Sequence, residues 1–246
     1  MIVYRAPQGS PEWHAARAGC ITASNFNLIR SANKLKSGPN KGEYGDKAKA
    51  YAFRLAIERI SKMPLDEGFE TWQMARGREL EPAARMAHEV RHGVMVEEVG
   101  FITTDDGKFG ASADGFIGDD EGAEYKCFVS PEKLRAIYLT GDVSEVVDQC
   151  DGGLWLSGRE VWNFGLYCPA LEPIGLDFVL HRIARDDDRL FELEKDLVAF
   201  DRLVCEYESA LRARAAPGVP LADIAPPWSS AHPDATSTAL PADIFA

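Results

Sequence analysis

Residues 109–127, FGASADGFIGDDEGAEYKC, constrain this chain more than any other stretch. Two short apolar segments flank an acidic, glycine-containing turn, which is the pattern of a β-hairpin. The first segment ends in Ser112-Ala113-Asp114-Gly115, and the second carries Glu124-Tyr125-Lys126. Residues two apart on a strand share a face, so Glu124 and Lys126 project together. The hairpin then returns Asp114 to their side. Two carboxylates and one ammonium in a cleft suit a hard cation held by oxygen ligands, with a positive group beside an attacking water. The same spacing also fits a solvated sheet face with a cross-pleat Glu–Lys pair, because D-x(n)-E-x-K is a loose pattern.

The chain has 246 residues, 46% hydrophobic and 27% charged, which fits one large domain or one domain with appendages. No apolar run reaches the roughly 18–20 residues that span a bilayer. The N-terminus, MIVYRAPQGSPEW, lacks the basic start and apolar core of a signal peptide. Both observations point to a cytoplasmic protein with no membrane partner. Cys20, Cys127, Cys150, Cys168 and Cys205 are widely spaced and form no C-x-x-C pair, so they read as reduced, mostly buried thiols. A net charge of −12 argues against a generic nucleic-acid coat. It is compatible with a metal-dependent nuclease, which needs clustered acids and gains bound cations that offset them.

In chain order, residues 11–18 carry a short helical pattern. A turn at Gly19 and a new helix from about residue 23 follow. Ser24 lies near that helix's start, where free backbone N–H groups bind phosphate, and Arg17 supplies a forked donor. A plain helix cap at Thr22 or Ser24, with Arg17 paired to a surface acid, fits the same spacing. Residues 31–46 read as a loop, and Lys34, Lys36 and Lys41 make it the most basic local stretch, a candidate DNA-backbone contact or a solvated loop. A helix is expected over 46–62, with its apolar face on Ala50, Phe53, Leu55, Ala56 and Ile60. Another is expected over 69–92, broken or tightly packed at Gly77 and carrying Glu81. Strands are expected over 94–104, 109–117, 122–128, 160–168 and 176–183, with helices over 131–140, 142–157 and 186–214. Gln149 falls on the second of these helices, where Gly152-Gly153 weakens the helical pattern. From Ala215 the composition turns to Pro, Ala, Ser and Thr, the mark of a flexible tail or of an arm lying on a neighbour, with Leu240–Phe245 as a candidate docking motif at its end.

Several islands occur in one order: Trp13-His14-x-x-Arg17-x-Gly19-x-Ile21-Thr22-Ala23-Ser24, Gly77-x-x-x-Glu81, Ser112-x-Asp114-Gly115, Glu124-Tyr125-Lys126-Cys127 and Gln149. The ordered set, over roughly residues 11–205, resembles the phage lambda exonuclease family of YqaJ-type viral recombinases, within the PD-(D/E)XK nuclease superfamily. The resemblance implies an α/β (α+β) fold with a central mixed sheet flanked by helices, a restriction-endonuclease-like core. Together with the composition shift at Ala215, this divides the chain into an exonuclease domain over 1–214 and a tail over 215–246, for which the resemblance offers no counterpart. The resemblance implies Mg²⁺-dependent 5′→3′ digestion of linear duplex DNA to mononucleotides, leaving 3′ single strands. Two ions per site are implied, with Mn²⁺ as a substitute. Asp114, Glu124, the Tyr125 carbonyl and Glu81 match its metal ligands. Lys126 matches the lysine that positions and helps deprotonate water, and Gln149 matches a glutamine that contacts that lysine or the water. Arg17, Ser24 and Ser112, with Trp13 beside them, match its 5′-phosphate pocket. A ring-shaped trimer and a single-strand annealing partner are implied as well. This chain departs from the pattern at Gly153, where an aromatic often stands.

Three further readings are open to test. An endonuclease or nickase on the same core would cut closed circles. His88-Glu89-Val90-Arg91-His92 matches H-E-x-x-H, the zinc-protease signature, but Gly93 and the strand-like Val94-Met95-Val96 follow at once, so the motif ends its helix. A catalytically silent DNA-binding module would not require intact Asp114, Glu124 and Lys126.

Overall fold

The computed structural model describes residues 1–65 and 71–215. The tail and its Leu240–Phe245 motif lie outside the described residues. After β1 (Ile2–Tyr4), helix α1 (Pro11–Arg17) starts where Ser10 Oγ accepts the Trp13 N–H at 3.2 Å and Pro11 takes the first turn. Gly19 then turns the chain at φ 74°, and an added Cβ would stand 2.7 Å from Arg59 Cγ, so both conformation and space demand glycine. Strand β2 (Ile21–Thr22) leads through a 3₁₀ turn at Ala23–Asn25 into the short α2 (Phe26–Ile29).

Helix α3 (Asp46–Ser61) buries Ala48, Tyr51, Ala52, Leu55 and Ala56, while Phe53 and Ile60 are exposed. The apolar face expected from the sequence is therefore rotated. Tyr51 decides it, because its ring stacks on Phe200 and its hydroxyl accepts the Thr22 N–H. Helix α4 (Trp72–His92) is capped by Thr71 and closed by Gly93 in the left-handed conformation. It runs unbroken through Gly77 and Pro82, and among the described residues nothing lies within 4 Å of an added Cβ at Gly77, so neither the expected break nor tight packing is seen there.

The expected mixed sheet is built as two four-stranded sheets. One has the order β1-β3-β4-β2, with β3 (Phe101–Thr103) and β4 (Phe109–Ser112), and its β2–β4 pair is parallel. The other has the order β5-β6-β7-β8, with β5 (Gly115–Ile117), β6 (Glu121–Lys126), β7 (Val161–Tyr167) and β8 (Phe178–Ala184); its β6–β7 pair is parallel. The single strand expected over 109–117 is thus divided at Ala113–Asp114, where the chain passes from one sheet to the other. The one expected over 94–104 is reduced to β3 plus a lone bridge between Glu97 and Phe116.

Helix α5 (Pro131–Arg135) continues as a π-turn over Ala136–Thr140. Helix α6 (Ser144–Ser157) lies against both sheets, and α7 (Asp187–Arg214) packs along α3 and α6. Gly152 and Gly153 are what allow α6 to approach. A Cβ would meet Phe26 at 2.7 Å from the first and Trp162 at 2.4 Å from the second. Close packing offsets the poor helix propensity of the pair. One core gathers Ile21, Phe26, Leu55, Ile102, Leu197 and Phe200, and a second gathers Cys150, Leu154, Trp162, Phe164 and Leu166. All five cysteines are free; Cys20, Cys150 and Cys168 are buried, and Cys205 is exposed. Among the described residues no helix is long and apolar enough to cross a membrane.

Candidate active site

The passage between the sheets determines where Asp114 sits. Its N–H donates to the Ala123 carbonyl at 3.1 Å, and its Oδ2 accepts the Tyr125 N–H at 2.6 Å. Both bonds hold the side chain against the middle of β6. Alternation along β6 then turns Glu124 and Lys126 toward α6 and Tyr125 toward α4. Lys126 Nζ donates to Glu124 Oε1 at 2.6 Å, and Gln149 Nε2, from α6, donates to the same oxygen at 2.6 Å. Gln149 therefore contacts Glu124, where the resemblance implied the lysine or the water. Glu81, on α4, lines the same cleft.

The charges are strongly perturbed. Burial lifts the Asp114 carboxyl well above the usual range, and the neighbouring Glu124 and Glu81 push it the same way. Burial also raises Glu81, with Glu124 adding to the shift and Arg85 opposing it. Burial works to lower Lys126, but Glu124 and Asp114 outweigh it, so the amine is held as an ammonium. Crowded carboxylates that repel one another at a cleft wall form the donor set of a hard divalent cation, which would relieve that repulsion. Among the described residues, no three acid, histidine or cysteine side chains yet converge on one point. Glu124 Oε1 is engaged by Lys126 and Gln149, and Asp114 Oδ2 by the Tyr125 N–H.

The other end of the cleft, which measures about 1100 Å³ in all, is lined by Trp13, Arg17, Thr22, Ser24, Arg54 and Ser112. Arg17 Nη1 donates to Ser112 Oγ at 2.7 Å, and its guanidinium lies 4.1 Å over the Trp13 ring and 5.2 Å from Phe101. Among the described residues no carboxylate pairs with it, and burial lowers its pKa. A half-buried guanidinium held by a hydroxyl and aromatic faces suits an outside anion. Ser24 is exposed on the 3₁₀ turn, with its hydroxyl 3.4 Å from that of Thr22.

The cleft thus gathers Trp13, Arg17, Ser24, Glu81, Ser112, Asp114, Glu124, Tyr125, Lys126 and Gln149. Lys34 and Lys36 do not line it; Lys34 Nζ lies over the Tyr44 ring at 4.4 Å, and Lys36 is exposed. Arg54 and Glu58 line the cleft without having been read from the sequence. Glu58 is buried, accepts the Gly19 N–H at 2.8 Å and the Leu65 N–H at 3.3 Å, and so props the turn that follows Arg17. Their i, i+4 spacing on α3 was visible, but it is also that of an ordinary surface pair.

Of the H-E-x-x-H residues, His88 and Glu89 are engaged with the fold, while His92 is exposed with its ring edge-on to that of His88. His88 is buried with Nδ1 2.9 Å from Tyr125 Oη, and its ring stacks on Phe178. Glu89 Oε1 accepts the Val96 N–H at 2.9 Å.

The fold as a whole is similar to known structures. The crystal structure of an alkaline exonuclease, LHK-Exo, from Laribacter hongkongensis superposes with a TM-score of 0.69 and 29% identity, covering 84% of this chain and 98% of that one. The same protein in complex with dAMP gives a TM-score of 0.69 at 30% identity over the same shares. A phage-related exonuclease from Haemophilus somnus 129PT shares the fold, with a TM-score of 0.58 at 15% identity, covering 80% of this chain and 96% of that one. Among curated proteins no match was found. The profile of the YqaJ-like viral recombinase domain matches residues 12–160, a span from α1 to the end of α6 that contains every side chain of the cleft cluster, and the chain belongs to that family.

Proposed function

We propose that this chain is a 5′→3′ exonuclease on linear double-stranded DNA that uses Mg²⁺, with Mn²⁺ as a substitute. It releases mononucleotides and leaves 3′ single strands for phage-type recombination. One observation carries this reading: a single cleft holds an anion pocket at Arg17 and Ser112 and a carboxylate–lysine cluster at Asp114, Glu124 and Lys126. The likeness to an alkaline exonuclease supports it.

Asp114, Glu124, the Tyr125 carbonyl and Glu81 would hold two ions. When bound, such ions lower the pKa of an attacking water and offset charge on the leaving 3′ oxygen. The remaining work falls to side chains. Arg17, Ser24 and Ser112 grip the terminal 5′ phosphate, and Trp13 stacks beneath the Arg17 guanidinium. That grip sets which phosphodiester reaches the acids, and it favours an end over an internal bond. Lys126 positions the attacking water and, as an ammonium, donates to the non-bridging phosphate oxygen on which charge builds; to take the water's proton it would first have to lose its own. Gln149 fixes the rotamer of Glu124 by holding Oε1. A ring trimer would keep an acidic subunit on DNA by topology, and the 3′ strand would pass to a single-strand annealing protein.

The test is digestion of a linear duplex with one 5′-phosphorylated and one 5′-hydroxyl end, with and without Mg²⁺, beside a closed circle. Stepwise loss from the phosphorylated end with the circle untouched supports the reading. Cutting of the circle would replace it with an endonuclease, and absence of Mg²⁺-dependent cleavage would reject it.

A further inference from the structure

We infer that His88 is a positioning residue for the metal-ligand cluster: its hydrogen bond to the Tyr125 hydroxyl sets helix α4, which carries Glu81, against strand β6, which carries Glu124 and the Tyr125 main chain. The inference rests on the nuclease reading above.

The geometry starts from β6. Glu124 and Lys126 face α6, while Ala123 and Tyr125 face α4, and of these two Tyr125 carries the polar side-chain group. Its main-chain N–H is bound to Asp114 Oδ2 at 2.6 Å, while its hydroxyl is bound to His88 Nδ1 at 2.9 Å on the other side of the sheet. One residue therefore links the acid at the sheet crossover to the helix. On α4, Glu81 and His88 are seven residues apart, just under two turns, and fall on one stripe with the fully buried Ala84 between them. The pin thus acts on the helix face that presents Glu81.

The surrounding contacts show why a polar pin matters here. Between α4 and the sheet lie Ala84, Ala123 and Phe178, whose small or smooth surfaces would allow the helix to slide. A buried hydroxyl and imidazole are satisfied in one register only, and a slip that separates them leaves both unpaired. The end of α4 is secured by further contacts: Arg91 Nη2 grips both oxygens of Asp177 at 2.7 Å, Glu89 Oε1 accepts the Val96 N–H at 2.9 Å, and Phe178 stacks on His88 with ring centroids 5.8 Å apart. The helix is thereby fixed at its far end, and Glu81 sits two turns in from the anchor. The H-E-x-x-H segment serves as this anchor.

The test is direct binding of Mn²⁺, read from the loss of the free-ion EPR signal, with melting temperature as a check on folding. Removing an outer contact of a ligand typically costs 10- to 100-fold in metal affinity. Tyr125→Phe, which removes only the hydroxyl, and His88→Leu should each weaken Mn²⁺ binding about 10-fold with DNA affinity in the absence of metal unchanged. His88→Asn, whose amide stands near the place of Nδ1, should recover most of the loss. In a Glu81→Gln background, Tyr125→Phe should add nothing. Wild-type Mn²⁺ affinity in a folded Tyr125→Phe, failure of His88→Asn to recover it, or a further loss in the Glu81→Gln background would each overturn the positioning role and leave the nuclease reading intact. A wild-type protein that binds no Mn²⁺ would remove the nuclease reading and this inference together.

Discussion

Arg17 Nη1 donates to Ser112 Oγ at 2.7 Å, tying the first helix to the strand that runs directly into Asp114. A phosphate held by this pair is placed one short step of chain from the acids. Hydrogen bonds to charged groups contribute about 1.5–3 kcal/mol, which corresponds to a factor of roughly 10 to 150. Arg17→Ala should therefore raise KM for 5′-phosphorylated ends by about that factor and leave 5′-hydroxyl ends little changed. Steady-state digestion of the two substrates measures this, and equal losses on both would reject the pocket.

Lys126 is the ammonium nearest the cluster, salt-bridged to Glu124. Lys126→Ala should lower kcat by about 10²–10³, the scale expected for one lost electrostatic donor, with DNA affinity largely intact. Rapid-quench cleavage and a filter-binding isotherm on the same preparation separate the two quantities. Near-normal turnover would sink the assigned role.

Asp114 is buried beside two other acids, and that repulsion is a stability cost borne for function. Asp114→Asn keeps an oxygen for the Tyr125 N–H and removes a charge. In chelator it should melt about 2–4 °C higher than wild type, as expected for roughly 1 kcal/mol in a protein of this size. Mg²⁺ should raise the wild-type melting temperature through ligand linkage and leave the variant unmoved. Chelation should also abolish cleavage by the wild type, and calorimetry in both buffers reads the stability changes.

His181 lies over the Phe164 ring, 6.1 Å between centroids, with Nε2 buried and lacking a partner among the described residues. Burial depresses its pKa below the ordinary 6.5. A depressed imidazole pKa favours the neutral folded form, so its contribution is intact above pH 6.5 and is lost as the pH falls below it. The ring is partly exposed, so solvent screening keeps the effect to about a degree in melting temperature. His181→Phe should flatten that much of the decline between pH 7 and 5. An unchanged slope would show that other groups carry it.

The local pattern around the site was legible early. Alternation over the expected strand 122–128, observed as Glu121–Lys126, put Glu124 and Lys126 on one face, and the turn before it brought Asp114 alongside. Hydrophobic period located α3, α4, α6 and α7 within a few residues, because each is long enough for its apolar stripe to repeat. Other features depended on partners far along the chain. The rotation of α3 follows from Phe200, the survival of α6 at Gly152-Gly153 follows from Phe26 and Trp162, and the burial of Glu58 follows from the Gly19 N–H. No window of neighbouring residues contains those partners.

The sequence by itself determined which groups are at hand: two acids and a lysine at strand spacing with a serine just before the first acid, an arginine and a second serine at a helix–turn, and one glutamine on a later helix. Only the tertiary structure decided what that chemistry faces. It divided one apparent strand at Ala113–Asp114, sending an acid to the seam between two sheets. It also turned the first histidine of H-E-x-x-H, His88, into a buried contact with Tyr125. The physical reason is that covalent spacing fixes which groups lie close along one element, whereas burial and hydrogen-bond satisfaction, which set charge state and partner, are properties of elements packed together.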